Sequence, residues 1–142
     1  MTDYAYSYAA AGQLPPAEVL DLYESVGWSA YTANPGTLLQ ALAGSATVAV
    51  AHSDGKLVGL ARVISDGATI CYLQDILVHP THRRSGVGKE LAALVLAPYD
   101  GVRQKVLLTD NEPGQRSFYE ELGFVRSTEF PGAPLNAFVR FD

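Results

Sequence analysis

Two glycines and three cationic residues lie together in the stretch from Arg83 to Lys89, a combination that suits phosphate binding. Gly86 and Gly88 lack the Cβ atoms that would keep a ligand away from the backbone. Arg83, Arg84 and Lys89 add full positive charges beside those two glycines. A helix that starts here would also offer unpaired N–H groups and a partial positive charge. The stretch therefore predicts a phosphate or diphosphate site, with an ordinary glycine-containing loop as the alternative.

The segments on either side predict the strand–loop–helix context that such a site needs. The run from Ile70 to Val78 is rich in β-branched and aromatic residues and ends just before Pro80, as a buried strand does. After the loop, apolar residues recur at helical spacing and define one buried face; they are Val87, Leu91, Leu94 and Val95.

Composition indicates one soluble domain that spans residues 1–142. A chain of 142 residues, 48% of them hydrophobic and 18% charged, is long enough to bury a core without covalent cross-links. The sequence has no apolar run near the ~20 residues of a membrane span, and its N-terminus does not resemble a secretory signal. We therefore expect a cytoplasmic protein that does not associate with membranes.

Charge, cysteine and histidine content exclude several classes of function. A net charge of −5 argues against nucleic-acid partners, because affinity for nucleic acids comes mainly from neutralising their phosphates. Cys71 is the single cysteine, so an internal disulfide is excluded and we expect a small buried side chain there. His52, His79 and His82 lack the close spacing of a zinc site, so we expect no metal.

Further helices and strands follow from periodicity and turn residues. Pro15 and Pro16 open a helix that ends near Gly27, and Asp54-Gly55 is a turn between two strands. Asp110 and Asn111 are the predicted caps of the helix that Gly123 closes. The remaining predicted elements are strands at residues 4–8, 47–51, 57–64, 106–109, 124–126 and 137–141, and a short helix after residues 34–35.

Two motifs in this sequence resemble those of the GNAT superfamily of N-acetyltransferases. The first is Arg83-x-x-Gly86-x-Gly88 after a strand that ends in Val78, and the second is Phe-Tyr-x-x-x-Gly-Phe over residues 118–124. The resemblance is specific from about residue 72 to residue 124. It implies an α+β (mixed α/β) class and the GNAT acyl-CoA N-acyltransferase fold, with a mostly antiparallel twisted sheet of six to seven strands and about four flanking helices.

The resemblance also implies acetyl-coenzyme A as the acetyl donor and direct attack by a primary amine in a ternary complex. In the family the glycine loop holds the pyrophosphate, the backbone of the preceding strand pairs with the pantetheine arm, and the tyrosine of the second motif lies beside the sulfur. Carried onto this sequence, the implied cofactor-binding residues are Ile76, Leu77, Val78, Arg83, Arg84, Ser85, Gly86, Val87, Gly88, Lys89, Asn111, Phe118 and Tyr119.

By the same resemblance, the Ile76 N–H stabilises the oxyanion and Tyr119 protonates the leaving thiolate. Asp75 is the first candidate for the base and Glu24 the second, with a strand-edge hydrogen bond and a solvated helix face as their alternatives. Gln74 stands where many relatives have an acid. Asn111 lies one residue before the position at which relatives commonly have an asparagine, which Glu112 occupies here.

Aromatic residues predict the acceptor class. Trp28, Tyr31 and Tyr72 can stack on an aromatic amine or bind its cation, while Trp28 alone can equally pack the helices together. Residues 58–68 are also similar to small GNAT proteins related to arylalkylamine acetyltransferases, which favours a small-molecule amine. Alternatives are a catalytically silent acyl-CoA sensor, an acetyltransferase of protein N-termini or lysines, and a structural domain. A homodimer stays open.

Overall fold

The computed structural model describes residues 2–10 and 12–142, which form two compact units with their boundary after Leu108. In the first unit, the strands are β1 (Ala5–Tyr8), β2 (Thr47–Ser53), β3 (Lys56–Ser65), β4 (Ile70–Val78) and β5 (Gln104–Leu107). Its helices are α1 (Pro16–Ser25), α2 (Ser29–Thr32), α3 (Pro35–Ala43) and α4 (Val87–Leu96), with 3₁₀ turns at Pro80–His82 and Ala97–Tyr99.

The first unit is built on one sheet with the strand order β1-β2-β3-β4-β5. The first four strands are antiparallel to their neighbours, whereas β5 pairs with β4 in parallel. Asp54 and Gly55 connect β2 to β3 with φ angles of 50° and 76°, the left-handed pair of a tight hairpin turn. The predicted run of three antiparallel strands and the bounds of the strand Ile70–Val78 are confirmed.

Helices cover both faces of this sheet. On one face, α1 and α3 bury an apolar cluster that includes Val19, Leu22 and Leu38 against Val50 and Leu60 of the sheet. On the other face, α4 packs on β2, β3 and β4. A Cβ atom at Gly59 would lie 2.7 Å from Leu91 Cδ1, so the absence of a side chain there lets α4 approach the sheet.

The second unit, Thr109–Asp142, consists of helix α5 (Pro113–Glu121), a 3₁₀ turn at Ser127–Glu129 and irregular chain. Gly123 has a φ of 93° directly after α5, the left-handed conformation that commonly ends a helix. The strands predicted at residues 124–126 and 137–141 do not form, so the sheet has five strands rather than six or seven. The side chains of Phe138 and Phe141 are 92% and 89% exposed.

Other differences from the prediction are local. Strand β5 starts at Gln104 rather than at residue 106. The four-residue helix α2 was not predicted, so the described residues form five α-helices instead of about four. The N-cap of α5 is Glu112, so the predicted capping by Asp110 and Asn111 is wrong. Pro113 takes the first helical position, where its fixed φ suits a helix and its missing N–H costs no bond.

Helix length in the described ranges bears on membrane insertion. The longest helices, α1 and α4, have ten residues each, about half of the ~20 that a bilayer requires. None of the helices in these ranges is suited to crossing a membrane.

Candidate active site

The glycine loop presents backbone donors at the start of α4 in an arrangement suited to an anion. Gly86 is the N-cap of this helix with a φ of 85°, and no heavy atom lies within 4 Å of the position its Cβ would take. The first backbone bond of the helix runs from the Glu90 N–H to the Gly86 carbonyl at 3.1 Å. The N–H groups of Val87, Gly88 and Lys89 therefore precede the helical ladder and can donate to a ligand.

Charge and backbone conformation around the loop also suit a diphosphate. Arg83, Arg84 and Lys89 are exposed, so their cationic groups can reach a bound anion. Arg84 has a φ of 62°, an uncommon left-handed conformation for a residue with a side chain. The donor set of backbone N–H groups and cations fits the pyrophosphate of coenzyme A.

Side chains from elsewhere in the first unit hold this loop in place. The Tyr4 hydroxyl, just before β1, lies 2.9 Å from His82 Nδ1 and donates to Ser85 Oγ at 3.3 Å. The Ser85 hydroxyl in turn donates to the His82 carbonyl. Tyr4 and His82 were not predicted as site residues, because their partners are far away in the sequence.

Strand β4 is irregular and open at the point where catalysis is predicted. Asp75 pairs with Arg62, but the next pair along is Leu73 with Val63, so Gln74 is an extra residue in a β-bulge. Pairing of β4 with β5 covers residues 70–73 and stops there. From Gln74 onward the second edge of β4 has no strand within the described sheet. The predicted backbone donors Ile76, Leu77 and Val78 all lie on this stretch.

The bulge also determines which face Asp75 occupies. Directly paired residues share a face and successive residues alternate, so Leu73, opposite Val63, and Asp75, opposite Arg62, lie on opposite faces of the sheet. Asp75 thereby points to the α1 side, where its carboxylate receives the Tyr23 hydroxyl.

Asp75 lies in a buried hydrogen-bond network. Its Oδ2 accepts from Arg62 Nε at 2.6 Å and from the Tyr23 hydroxyl at 3.0 Å, and its Oδ1 accepts from the Tyr31 hydroxyl at 2.9 Å. Asp75 is 3% exposed and Arg62 is 5% exposed. Burial and the Asp75 charge raise the pKa of Tyr23 well above its usual value. Burial alone would lower the pKa of Arg62, but its bonds to Asp75 raise it.

Aromatic side chains surround this network. Tyr31 lies edge-on to Tyr23, with ring centroids 5.2 Å apart, and its centroid is 6.1 Å from that of Trp28. Trp28 is half-buried and also packs edge-on against Tyr23, so it contributes to helix packing whatever else it does. Burial, followed by the nearby Tyr31 and Asp75 groups, raises the pKa of Tyr72 above its usual value. Glu24 is exposed on α1.

The second motif, residues 118–124, lies in the second unit. Tyr119 is half-buried on α5 and lies edge-on to Phe118 and Phe124, with centroid separations of 5.0 and 6.3 Å. Burial and the Asp110 charge raise the pKa of Tyr119 above its usual value. A phenol held in its protonated form can donate a proton. Asn111 is exposed before α5.

The Asp75 network also contains Arg62, Tyr23 and Ser45, which were not predicted from the sequence as site residues. Arg62 Nη1 donates to Ser45 Oγ at 3.3 Å. A signal for Arg62 was present, because it is the one charged residue in the apolar run at 57–64, and a charge in a buried strand needs a partner. No group of three metal-binding side chains comes together within residues 2–10 and 12–142.

Comparison with known proteins gives one consistent family. The family model described as an acetyltransferase (GNAT) domain matches residues 44–126. An uncharacterized ycf52-like N-acetyltransferase from Prochlorococcus marinus is 32% identical over 127 residues, which cover 85% of this chain and 68% of that protein. Four further acetyltransferase relatives are matched over less than half of their own length.

Solved structures share the fold. A GNAT family acetyltransferase from Streptococcus pneumoniae superposes with a TM-score of 0.79 at 25% identity, over 98% of this chain and all of that one. The aminoglycoside N-acetyltransferase AAC(6')-Iy, solved in complex with CoA, superposes with a TM-score of 0.64 at 22% identity, over 99% of this chain and 96% of that one.

Proposed function

The chain belongs to the GNAT family of acetyltransferases, and on that basis we propose that it transfers the acetyl group of acetyl-coenzyme A to a primary amine of a small molecule. The predicted family, its α+β fold class and an acyltransferase activity are confirmed. The acetyl donor, the acceptor and the site residues are our proposal. The amine attacks the thioester directly in a ternary complex.

One observation supports the proposal most strongly, namely the open N-terminus of α4 with the cations beside it. The N–H groups of Val87, Gly88 and Lys89 and the side chains of Arg83 and Arg84 would hold the diphosphate of acetyl-coenzyme A. Ser85 and Gly86 shape the loop, since one is fixed by Tyr4 and the other has a φ of 85°. The fold neighbour AAC(6')-Iy was solved with CoA bound.

Backbone groups of β4 would bind and activate the acetyl-bearing arm. Beyond Leu73 the second edge of the strand is unpaired within the described sheet. Main-chain groups alternate between the two edges of a strand, so those of Ile76 and Val78 face this open edge and can bind the pantetheine amides. The main-chain groups of Leu77 face β3 and pair with Leu60. The Ile76 N–H is our candidate for stabilising the negative charge that develops on the thioester carbonyl oxygen.

Tyr119 is our candidate for the acid that protonates the departing thiolate. Its assignment rests on the family motif. Burial and the Asp110 charge raise its pKa, so the phenol carries a proton to donate into the alkaline range. Phe118 and Asn111 are assigned to coenzyme contacts by the same motif. Asp75 is the proposed final acceptor of the amine proton, and the exposed Glu24 is the second candidate.

The acceptor is proposed to be a small amine with an aromatic or apolar body. Trp28, Tyr31 and Tyr72 offer ring faces for such a body and for its cation. The proposal takes residues 1–142 as one catalytic domain in the cytoplasm. The unpaired thiol of Cys71 is compatible with that reducing compartment. Neither nucleic acid nor membrane is among the proposed partners, and a homodimer stays open.

Two measurements test this function. Calorimetry with acetyl-coenzyme A is expected to give one-site binding, which Arg83→Ala weakens and Arg126→Ala, an exposed arginine of the second unit, does not. Thiol release is then followed across a panel of aromatic and aliphatic amines, a lysine peptide and an N-terminal peptide. Binding without turnover would indicate an acyl-CoA sensor, and a preference for either peptide would indicate a protein acetyltransferase. Absence of binding would refute the proposal.

A further inference from the structure

We propose that Tyr31 takes the proton from the acceptor amine and passes its own hydroxyl proton to Asp75, with Arg62 as the residue that positions both. This inference rests on the proposed function, because it assigns the proton route of that reaction. In this relay two protons move in sequence, and the buried carboxylate of Asp75, which an amine cannot reach, accepts the second one.

The surroundings of Asp75 exclude direct contact with an acceptor. Its side chain is 3% exposed, and three donors already occupy its oxygens: Tyr23 and Arg62 on Oδ2, and Tyr31 on Oδ1. A proton can therefore reach this carboxylate only through one of its hydrogen-bond partners. Arg62 cannot relay a proton, since a guanidinium does not give one up in a protein.

Between the two tyrosines, exposure favours Tyr31. Tyr23 is fully buried, whereas Tyr31 is half-buried and its hydroxyl also contacts Gln74, an exposed residue of the β4 bulge. The Tyr31 hydroxyl thus connects the buried carboxylate at 2.9 Å to a solvent-exposed side chain at 3.2 Å.

The hydrogen-bonding capacity of the Tyr31 hydroxyl specifies where the amine enters. A phenol has one hydrogen to donate and two lone pairs that can accept. The hydrogen goes to Asp75 Oδ1, and the lone pairs accept from Arg62 Nη2 at 3.3 Å and from Gln74 Nε2 at 3.2 Å. Gln74 is the exposed partner of the two, so its carboxamide can be displaced. An amine N–H that replaces it would occupy the same lone pair.

The transfer balances without any further reactant. The amine nitrogen uses its lone pair to form a bond to the thioester carbonyl carbon, and its N–H bond breaks as the proton moves to the Tyr31 oxygen. The O–H bond of Tyr31 breaks in turn, and that proton forms a neutral carboxylic acid with Asp75 Oδ1. The C–S bond breaks when the tetrahedral adduct collapses, and the thiolate is protonated by the proposed acid Tyr119. After product release, Asp75 returns its proton through Tyr31 to solvent, and the Tyr119 phenolate takes up a proton from solvent.

Arg62 acts on the reaction through its two partners. Its Nε holds Asp75 at 2.6 Å while Nη2 holds the Tyr31 hydroxyl at 3.3 Å, so one rigid guanidinium plane fixes the distance that the second proton crosses. Ser45 holds the remaining end of the guanidinium. Arg62 is therefore a positioning residue.

The test uses the full chain, acetyl-coenzyme A and 2-phenylethylamine as the probe amine. Tyr31→Phe keeps the ring but removes the relay hydroxyl, and we expect its single-turnover rate to fall about 100-fold or more, as loss of proton transfer does. Its affinity for acetyl-coenzyme A should not change. Tyr8→Phe is the matched control, since it removes a hydroxyl that donates to the Leu94 carbonyl on the opposite face.

A solvent isotope experiment separates a relay from a structural role. In mixtures of H₂O and D₂O, two protons in transit give a curved dependence of the wild-type rate on deuterium content, and Tyr31→Phe should give a straight one. Asp75→Asn should lose about as much rate as Tyr31→Phe, and the double variant no more than either, because both interrupt one route. Gln74→Ala should bind the probe amine at least as tightly as the wild type, because no carboxamide has to be displaced from the Tyr31 hydroxyl.

Some results would overturn the relay alone, and others would overturn the proposed function as well. A folded Tyr31→Phe protein with a wild-type rate, or an unchanged curved isotope dependence, would overturn the relay and leave acetyl transfer intact. A Gln74→Ala protein that binds the probe amine more weakly than the wild type would also overturn it. A wild-type protein that binds acetyl-coenzyme A but acetylates no amine would overturn the proposed function, and the relay with it. If Asp75→Asn does not fold, the Tyr31→Phe and Gln74→Ala variants and the isotope experiment still test the relay.

Discussion

Arg62 and Asp75 form an ion pair with Nε and Oδ2 2.6 Å apart, and both side chains are almost completely buried. Two tyrosine hydroxyls complete the hydrogen bonding of the carboxylate. The pair joins β3 to β4 directly beside the bulge, so the same contact stabilises the sheet and orders the proposed acceptor side.

Removing one partner of this pair should be strongly destabilising. Arg62→Met leaves an uncompensated buried carboxylate, and we expect a loss of about 3–5 kcal/mol in the free energy of unfolding by urea. The double variant Arg62→Met with Asp75→Leu should recover much of that loss, because no buried charge is left. Arg116→Met, which breaks the exposed pairs with Glu120 and Glu129, is the control and should cost less than about 1 kcal/mol. If Arg62→Met and Arg116→Met lost equal free energies of unfolding, this account would be contradicted.

The left-handed conformation of Gly86 predicts a specific defect in coenzyme binding. An alanine at a φ of 85° is strained by about 1–2 kcal/mol, although no neighbouring atom blocks its Cβ. Relief of that strain would move the N–H groups of α4, so we expect Gly86→Ala to lower acetyl-coenzyme A affinity about tenfold by calorimetry. Gly101→Ala, in open space without a left-handed φ, should bind normally.

Tyr119 should act on the rate rather than on binding. Tyr119→Phe is expected to lower turnover about 100-fold while the affinity for acetyl-coenzyme A changes less than twofold. Because the pKa of this phenol is raised, wild-type turnover should persist into the alkaline range before loss of the proton lowers it. A Tyr119→Phe protein with wild-type turnover would show that Tyr119 is not the acid.

Tyr23 should make the protein sensitive to alkali. The folded state keeps this phenol protonated above its ordinary pKa of 10, whereas the unfolded chain releases the proton there, so the folded state binds more protons. Stability is therefore retained below pH 10 and falls as the pH rises above it, by up to about 1.4 kcal/mol per pH unit for each such tyrosine. Tyr23→Phe should be less stable at pH 9, because Asp75 loses a donor, yet its urea-unfolding free energy should fall less steeply from pH 10 to 11.

Substitutions of Trp28 distinguish between two roles of its indole, contact with the acceptor and packing of the helices. If the indole contacts the acceptor, Trp28→Ala should raise the KM for 2-phenylethylamine about tenfold and leave the KM for acetyl-coenzyme A unchanged. Its melting temperature should also fall, since Trp28 packs against Tyr23. Trp28→Phe keeps an aromatic face and is expected to restore stability with a smaller effect on KM. An unchanged KM in a less stable Trp28→Ala protein would assign the residue to packing alone.

Local signals account for what could be predicted from the sequence. The strand Ile70–Val78, the glycine loop and the start of α4 follow from residues adjacent in the chain, and the structure has them at the predicted positions. The Asp54-Gly55 turn is equally local, because its two left-handed residues are the ones that favour that conformation.

Pairing between distant residues was not predictable in the same way. Strict alternation in β4 would place Cys71, Leu73, Asp75 and Leu77 on one face, whereas the bulge divides them between two. The partners of Asp75 come from residues 23, 31 and 62, which no spacing in the sequence relates to position 75. The strand predicted at 137–141 had the right residue types, but a strand also requires a neighbour to pair with, and β-propensity does not supply one.

Gln74 has a further consequence for engineering. The register on either side of it, Leu73 with Val63 and Asp75 with Arg62, is the one an uninterrupted ladder would have if this residue were absent. Shortening the chain by that single glutamine would therefore leave every cross-strand partner in place and straighten the backbone. Because the cross-strand partners are kept, we expect the shortened chain to fold, and the deletion offers a way to separate the ability to fold from the ability to react.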